Sequence, residues 1–296
     1  MAHRPVLLNE VIELLDPRPG EFIIDGTVDG GGHAAAIIQK IMPHGIFLGL
    51  DWDERLLAEC KARLGDESGV ILEHGNYADI PAVLEEKKLP KADGLLVDLG
   101  FSSEQLEGSG RGFSFKQEFA GEPLLMTYDD AKAPVKQIIR ELKEEELANV
   151  IYEFGGERGS RRIAKTIKEA LRKKKIETSG ELAEVVRGAL PKNYERGRID
   201  PATRTFQALR IYANGELENL AKLLGELKDI VRPGGRVAII TFHSLEDGIV
   251  KRAFQSMAKE SILHILTKKP VAASREEIAE NPRSRSAKVR AAEITA

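Results

Sequence analysis

Residues 21–33 read EFIIDGTVDGGGH, and this stretch decides the class of fold. The apolar start is typical of a buried strand, the three consecutive glycines predict a tight loop, and AAAIIQKI after them has helical spacing. A strand, a glycine-rich loop and a helix in this order bring backbone N–H groups close to a ligand. The stretch therefore predicts a ligand site at one edge of an α/β sheet.

The flanking sequence repeats the alternation of strands and helices. Strand patterns lie at 21–25, 46–51, 70–73 and 93–98, and helix patterns lie between them at roughly 33–42, 53–64 and 79–88. Such alternation predicts right-handed crossovers and a mostly parallel sheet covered by helices on both faces. A helix near 213–231, the turn RPGGR, a buried strand at 237–242 and a last strand within 281–294 are expected to complete this domain.

The middle of the chain interrupts the pattern. Residues 101–128 are rich in glycine and serine and predict a long ordered loop, and from about 134 to 190 the chain is charged and helical. Thr178 and Glu181 have the spacing of a capping box. We therefore expect a discontinuous α/β domain formed by 1–105 and 211–296, with a loop and a helical insertion at 106–210.

Composition excludes several classes of protein. The chain has 296 residues, a formal net charge of -3 and a single cysteine, Cys60, so disulfides within the chain and a cysteine-based zinc site are not expected. The spacing of His, Asp and Glu predicts no metal site. No apolar run is long enough to span a bilayer, and the first residues do not have the pattern of a signal peptide, which favours the cytoplasm.

Two cofactors are compatible with the glycine loop. Gly30 to Ala35 fits G-x-G-x-x-G/A and Asp51 ends the next strand, which is the dinucleotide fingerprint and favours an NAD-dependent oxidoreductase. However, five residues separate the strand from the first triplet glycine, and they include Asp25 and Asp29. These carboxylates would repel a pyrophosphate and attract a cation. S-adenosylmethionine, with its ammonium, sulfonium and ribose hydroxyls, is therefore the favoured cofactor.

Polar residues follow the other predicted strands. Tyr77 comes after the third strand, where it either covers a cofactor ring or packs in the core, and Asp98 ends the fourth strand before a glycine-rich polar loop. Ligands of open α/β sheets bind at this edge. His33 either contacts a ligand or simply starts its helix. His243 either contacts the substrate or accepts its proton, or it is a histidine hydrogen-bonded at a strand end.

An ordered set of motifs then resembles the bacterial 16S rRNA (cytosine-N4) methyltransferase family, RsmH, formerly MraW. The resemblance covers almost the whole chain and is carried by HRPVLLNEVIELL, DGTVDGGGH, LGLDWD, HGNYADI, DGLLVDLGFSSEQLEGSGRGFSF, ERGSRRIAKTI, DPATRTFQALRI, PGGRVAIITFHSLED and NPRSRSAKVRAAE. It implies a class I methyltransferase (Rossmann-like) fold and methyl transfer from S-adenosylmethionine to N4 of a cytidine in the 16S rRNA of the small ribosomal subunit, at position 1402 in the usual rRNA numbering.

The resemblance also assigns residues. The cofactor contacts it implies are Gly31, Gly32, His33, Asp51, Tyr77, Asp98 and Gln105. For the reaction, Asp98, the Leu99 carbonyl, Ser102 and His243 are our candidates for contact with the amine or its proton, and Phe101 is a candidate for stacking on an extruded base. Asp29, Leu125, Thr127, Asp200 and Gly248 depart from the family pattern, which usually has a glycine at the first of these positions.

Basic residues of the insertion predict contact with RNA phosphates. The candidates are Arg158, Arg161, Arg162, Lys165, Lys168 and Arg172 to Lys175, together with Arg204, Arg210, Lys268, Lys269, Arg283 and Arg285. A solvated helix face is the alternative interpretation of such a run. Two further functions stay open: an inactive RNA-binding assembly factor with the same fold, and methylation of another target such as DNA cytosine. The sequence is compatible with a homodimer but does not determine the oligomeric state.

Overall fold

The glycine-rich stretch connects a strand to a helix in the computed structural model, which describes residues 5–65, 67–100, 108–191, 194 and 200–295. The strand is β1 (Phe22–Asp25) and the helix is α2 (Gly32–Ile41). The chain divides into two compact units. The first consists of residues 1–100 and 217–296, and the second of residues 101–216.

The first unit is built on one eight-stranded sheet with the order β3-β2-β1-β4-β5-β8-β6, and β7 pairs with β8. The strands are β1, β2 (Ile46–Asp51), β3 (Val70–His74), β4 (Ala92–Asp98), β5 (Val231–Thr241), β6 (Leu263–Ile265), β7 (Val271–Ala272) and β8 (Lys288–Ile294). Strands β1 to β5 are parallel, and β8 runs antiparallel to β5. This sheet confirms the predicted mostly parallel α/β fold.

Helices cover the sheet because its strands bury side chains on both faces. Ile24, Leu48 and Val97 belong to one apolar cluster, whereas Ile23 and Phe47 belong to the other. Neighbouring strand residues point to opposite faces, so near-continuous apolar runs are needed. The helices of this unit are α1 (Leu8–Leu15), α2, α3 (Glu54–Leu64), α4 (Ile80–Lys87), α11 (Leu227–Ile230), α12 (Ser244–Lys259) and α13 (Arg275–Glu280).

The described residues of the second unit form a loop segment at 108–134 and then a series of helices. Its helices are α5 (Val135–Glu141), α6 (Glu144–Gly155), α7 (Ser160–Lys173), α8 (Ser179–Ala189) and α9 (Ala202–Asn214), and α10 (Glu216–Gly225) begins at the boundary with the first unit. The capping box predicted at Thr178 is present, because its side chain accepts the N–H of Glu181 and the Glu181 side chain bonds back to the N-cap. No helix in the described parts of the chain is long and apolar enough to cross a membrane.

Two predicted elements were wrong in detail. The helix expected near 213–231 is broken at Gly215, which has a φ of 64° and ends α9, and again before α11. The expected turn RPGGR lies inside β5, where the pairing with β4 shifts register between Ala92 and Gly94. Gly234 has a positive φ, and this conformation permits the irregular section within the strand.

Candidate functional site

The glycine loop is a closely packed turn at the start of α2. Gly31 has a φ of 78° and caps the helix, which begins at Gly32. A Cβ added at Gly31 would lie 3.1 Å from Sγ of Cys60, and one added at Gly32 would lie 3.0 Å from Pro5. Both positions therefore leave little room for a side chain. The N–H groups at the N-terminus of a helix favour an anion such as a carboxylate. The first turn of α2 contains no acidic residue that would fill this role from within the helix.

Asp51 lies at the end of β2 and is held by two backbone groups. Its Oδ1 accepts the N–H of Asp53 and its Oδ2 accepts the N–H of Asp29, each at 2.9 Å. Asp29 has a φ of 48°, a left-handed conformation that aspartate tolerates better than most residues. Each oxygen of Asp51 retains an acceptor position for a ribose hydroxyl. Burial raises the pKa of the Asp51 carboxyl to about 7, and the negative charges of Asp29 and Asp53 add to this effect.

Asp25 corrects the charge argument made from the sequence. It is fully buried at the end of β1, and burial is the main reason that its pKa is raised to about 8, with contributions from Asp98, Asp51 and Asp29. At neutral pH its carboxyl group is mostly protonated. The charge that opposes a pyrophosphate at this loop therefore comes from Asp29 rather than from both aspartates.

Asp98 ends β4, which is adjacent to β1 in the sheet. Its backbone N–H donates to Oγ1 of Thr27 at 2.7 Å, and its Oδ1 accepts the N–H of Gly100 at 2.9 Å. Its Oδ2 lies 3.8 Å from Nδ1 of His33, the second residue of α2. The glycine loop and the end of β4 are thus connected through Thr27 on one side and His33 on the other.

His33 is buried, and its second ring nitrogen contacts the backbone. Nε2 lies 2.9 Å from the carbonyl oxygen of Val6, which precedes α1. The sequence left open whether His33 contacts a ligand or simply starts its helix. The structure shows the hydrogen bond to Val6 and, on the other side of the ring, the approach to Asp98.

Tyr77 and His243 have structural contacts. Tyr77 is buried in the core, where its ring meets that of Trp52 edge-on with 6.1 Å between centroids. His243 is the N-cap of α12, because its Nδ1 accepts the N–H of Glu246 at 3.4 Å while the Glu246 carboxylate accepts the N–H of His243. Phe101, Ser102 and Gln105 lie outside the described residues.

Sequence reasoning missed two contacts of the glycine loop. Thr27 connects the loop to β4, and Nη1 of Arg63 in α3 donates to the carbonyl oxygen of Gly30 at 2.8 Å. Thr27 carries a signal in the sequence, a hydroxyl directly after a strand and a glycine. Arg63 carries none, because the contact joins residues that are distant along the chain.

Some basic residues of the second unit are held by internal contacts and others are exposed, and two of the exposed ones, Lys165 and Lys174, lie beside Glu169 and Glu181. Lys168 donates to the carbonyl oxygens of Ile139 and Arg140, and Arg210 forms two bonds to the Glu216 carboxylate. These contacts of Lys168 and Arg210 stabilise the packing of the helical unit, and RNA contact at the two residues stays a prediction. Arg204 lies 3.5 Å from the buried carboxylate of Glu157. The exposed cations are Arg158, Arg161, Arg162, Lys165 and Arg172 to Lys175.

Two tyrosines of the same unit are also exposed. Tyr152 in α6 has 60% of its surface accessible and Tyr212 in α9 has 39%, and they are the exposed large hydrophobic residues among those described. The Tyr212 ring lies 6.2 Å from that of Phe154. Exposed aromatic rings are typical stacking surfaces for unpaired bases, and sequence reasoning did not single them out.

A family model for the MraW methylase family matches residues 1–295. The chain belongs to this family. Similar proteins include "Ribosomal RNA small subunit methyltransferase H" of Thermotoga neapolitana, 46% identical over 99% of this chain and 96% of that protein. The protein of the same name from Syntrophotalea carbinolica is 43% identical over 98% of this chain and 96% of that protein.

Solved structures are more distant. An rRNA methylase from Streptococcus thermophilus matches 98% of this chain and 94% of that chain with 9% identity and a TM-score of 0.43. A likeness at this level carries no argument about function.

The structure gives Asp200, where the resemblance implies a histidine, a local role. Asp200 accepts three bonds from the Arg187 side chain and also accepts the N–H of Ala202 at the start of α9. The acid thus pairs α8 with the first turn of α9. Nothing in the structure explains Thr127, which is buried, or Leu125. Gly248 lies in α12, where an added Cβ would lie 3.1 Å from Nη1 of Arg252.

Proposed function

We propose that this protein transfers a methyl group from S-adenosylmethionine to the N4 amine of a cytidine in the 16S rRNA of the small ribosomal subunit, at position 1402 in the usual rRNA numbering. The observation that carries the proposal is the arrangement of Gly31, Asp51 and Asp98 around the carboxyl ends of β1, β2 and β4. The printed names of the relatives support the choice of substrate. A ribosomal substrate supports a cytoplasmic location, which belongs to the same proposal.

The cofactor residues fit the chemistry of S-adenosylmethionine, which when bound supplies a methyl group on a positively charged sulfur. Carboxylates at Asp29, Asp51 and Asp98 suit its positive charge and its hydroxyls, and Asp51 suits the ribose. Gly31, Gly32 and His33 form the N-terminus of α2, where backbone N–H groups bind anions. They therefore suit the carboxylate in the methionine part of S-adenosylmethionine. Tyr77 and Gln105 complete the cofactor set implied by the family.

The substrate residues must activate a weak nucleophile. The lone pair of cytosine N4 is delocalised into the ring, so its N–H groups need acceptors and the nitrogen must lie in line with the methyl carbon at roughly 3–3.5 Å. Asp98 is the proposed acceptor, because it ends β4 beside the glycine loop. Ser102 is proposed as a second acceptor and Phe101 as the stacking partner of the base. The capping role of His243 makes it a secondary candidate.

The helical unit is proposed to bind rRNA. Its exposed cations, Arg158, Arg161, Arg162 and Lys165, precede or occupy the first turns of α7, and the exposed Tyr152 lies near the end of α6. Phosphate contacts position a nucleic acid, and aromatic rings stack on its unpaired bases. Lys268, Lys269 and Arg285 of the first unit are also exposed and remain candidates.

Methylation of unmethylated 30S subunits in vitro, followed by nucleoside mass spectrometry, tests the proposal. We expect N4-methylcytidine with the unsubstituted protein and loss of the product with Asp98→Ala. The matched control is Asp229→Ala, which removes an exposed carboxylate of α11 and is expected to leave the rate unchanged.

Three results would contradict the proposal. Tight binding of NAD without binding of S-adenosylmethionine in calorimetry would favour the function of an NAD-dependent oxidoreductase. Binding of 30S subunits without formation of methylated cytidine would favour the function of an inactive assembly factor. A methylated DNA cytosine with unmodified rRNA would change the target.

A further inference from the structure

Both ring nitrogens of His33 face oxygen atoms. Nε2 lies 2.9 Å from the carbonyl oxygen of Val6, and Nδ1 lies 3.8 Å from Oδ2 of Asp98. The ring is buried, and the Asp98 side chain is mostly so. His33 therefore joins the segment before α1 to the carboxylate proposed to act on the amine.

The Val6 contact determines where the proton of the ring lies. A carbonyl oxygen only accepts hydrogen bonds, so Nε2 must carry the hydrogen. Neutral His33 then presents the lone pair of Nδ1 towards the Asp98 carboxylate. A proton placed between Nδ1 and Oδ2 would turn this approach into a hydrogen bond.

The surroundings of Asp98 determine which of its two carboxylate oxygens faces His33. Oδ1 accepts the N–H of Gly100, and the backbone N–H of Asp98 is bound to Thr27, so the orientation of the carboxylate is set and Oδ2 points towards His33. Shortening the 3.8 Å separation by about 1 Å would give a hydrogen bond. Catalytic hydrogen bonds are often long before the substrate binds.

We propose that His33 is a positioning residue that takes over, through Asp98, the proton released from the cytosine amine. The inference rests on the proposed function. The bond between N4 and the methyl carbon forms while the bond between that carbon and sulfur breaks, and its electron pair stays on sulfur. The extra proton on N4 passes to Oδ2 of Asp98 and then to Nδ1 of His33, and the resulting imidazolium keeps its bond to Val6.

The active form is the one in which the pair carries no proton, so the rate of methyl transfer is expected to rise with pH on its acidic side. Other ionisable groups at this end of the sheet also influence the acidic side of this pH profile. Asp25 lies close enough to Asp98 for their charges to interact, and Asp29 and Asp51 lie on the adjoining loop and strand. Arg63 contributes a positive charge where it binds Gly30.

His33→Gln separates the two functions of the ring, because an amide N–H can replace Nε2–H towards Val6 whereas nothing replaces the basic Nδ1. In single-turnover methylation of 30S subunits we expect the rate to fall by about 100-fold or more and the acidic limb to change. The dissociation constant of S-adenosylmethionine is expected to stay within about threefold. The control is His44→Gln in the exposed turn after α2. An unchanged rate and pH profile in His33→Gln would overturn the proposal.

Nitrogen-15 NMR of labelled histidines provides a measurement that does not depend on activity. The signal missing from His33→Gln identifies His33, and we expect the Nε2–H tautomer. Asp98→Asn is expected to shift the Nδ1 resonance and leave the Nε2–H bond in place. An Nδ1–H tautomer, or an Nδ1 resonance indifferent to Asp98→Asn, would refute the pair. If the unsubstituted protein methylated no 30S subunits, the proposed function would fail while this measurement still decided on the pair.

Discussion

The backbone N–H of Asp29 donates to Oδ2 of Asp51 across 2.9 Å, so the glycine loop holds the carboxylate that ends β2. The family resemblance implies a glycine at this position of the loop. Asp29 adopts the left-handed conformation that a glycine takes easily, with a φ of 48°. The departure from the family pattern therefore preserves the backbone path and the bond to Asp51 while adding a negative charge.

Variants of Asp29 separate its backbone conformation from its charge. Asp29→Gly keeps the left-handed backbone but removes the carboxylate, and is expected to weaken binding of S-adenosylmethionine by no more than about threefold. Asp29→Val places a β-branched residue in this conformation, at a cost of about 1–2 kcal/mol, and is expected to weaken binding about tenfold by displacing the N–H from Asp51. Titration calorimetry measures both. Equal affinities of the Gly and Val variants would show that the conformation does not matter.

Asp25 is expected to make the free energy of unfolding depend on pH. Its pKa is about 8 in the folded protein, above the ordinary value of 3.8, so the folded state binds more protons between these values. Stability from this group is therefore present at low pH and lost as pH rises towards 8.

Asp25→Asn removes that dependence. From pH 5 to 8 the unfolding free energy of the unsubstituted protein should fall relative to the variant by up to about 1.4 kcal/mol for each pH unit. Urea unfolding at each pH measures the difference. Two curves that stay parallel over this range would contradict the raised pKa.

Gly31→Ala is expected to disturb cofactor binding by crowding. The new Cβ would lie 3.1 Å from Sγ of Cys60 in a backbone with a φ of 78°, so the loop must shift. We expect a stability loss of about 1–2 kcal/mol from the left-handed backbone and at least tenfold weaker binding of S-adenosylmethionine. Thermal unfolding and calorimetry test the two effects.

Gly156→Ala is the matched control for Gly31→Ala. Gly156 ends α6 in the same left-handed conformation, with a φ of 63° and a ψ of 20°, and an added Cβ there meets nothing within 4 Å. The control should lose similar stability without losing cofactor affinity. If both variants bound the cofactor equally well, the close packing of the glycine loop would have no role in binding.

Removing the exposed charges of α7 is expected to weaken rRNA binding. Arg161→Ala with Arg162→Ala should raise the dissociation constant for 30S subunits about 3- to 10-fold at low salt and reduce the salt dependence of binding. The control pair is Lys251→Ala with Arg252→Ala, which removes two exposed cations of α12 in the other unit. Filter binding at several salt concentrations measures this. Equal losses in both pairs would indicate a bulk charge effect instead of contact through α7.

The strands were predictable because their sequences must satisfy burial on both faces. Ile46–Asp51 has the predicted bounds, and the other first strands differ by one residue at an end. The helix near 213–231 was wrong because apolar spacing continues across Gly215, and spacing alone does not show where a backbone reverses its φ. The capping box at Thr178 was predictable because it depends on residues three positions apart.

The amino-acid sequence by itself determined the alternation of elements, the glycine loop, the carboxylates at strand ends and the family. The tertiary structure decided their chemical states. Burial protonates Asp25, the Val6 carbonyl sets the tautomer of His33, and Ile139 and Arg140 engage Lys168. The reason is physical: local patterns follow from neighbours along the chain, whereas solvation and hydrogen bonding depend on groups that only folding brings together.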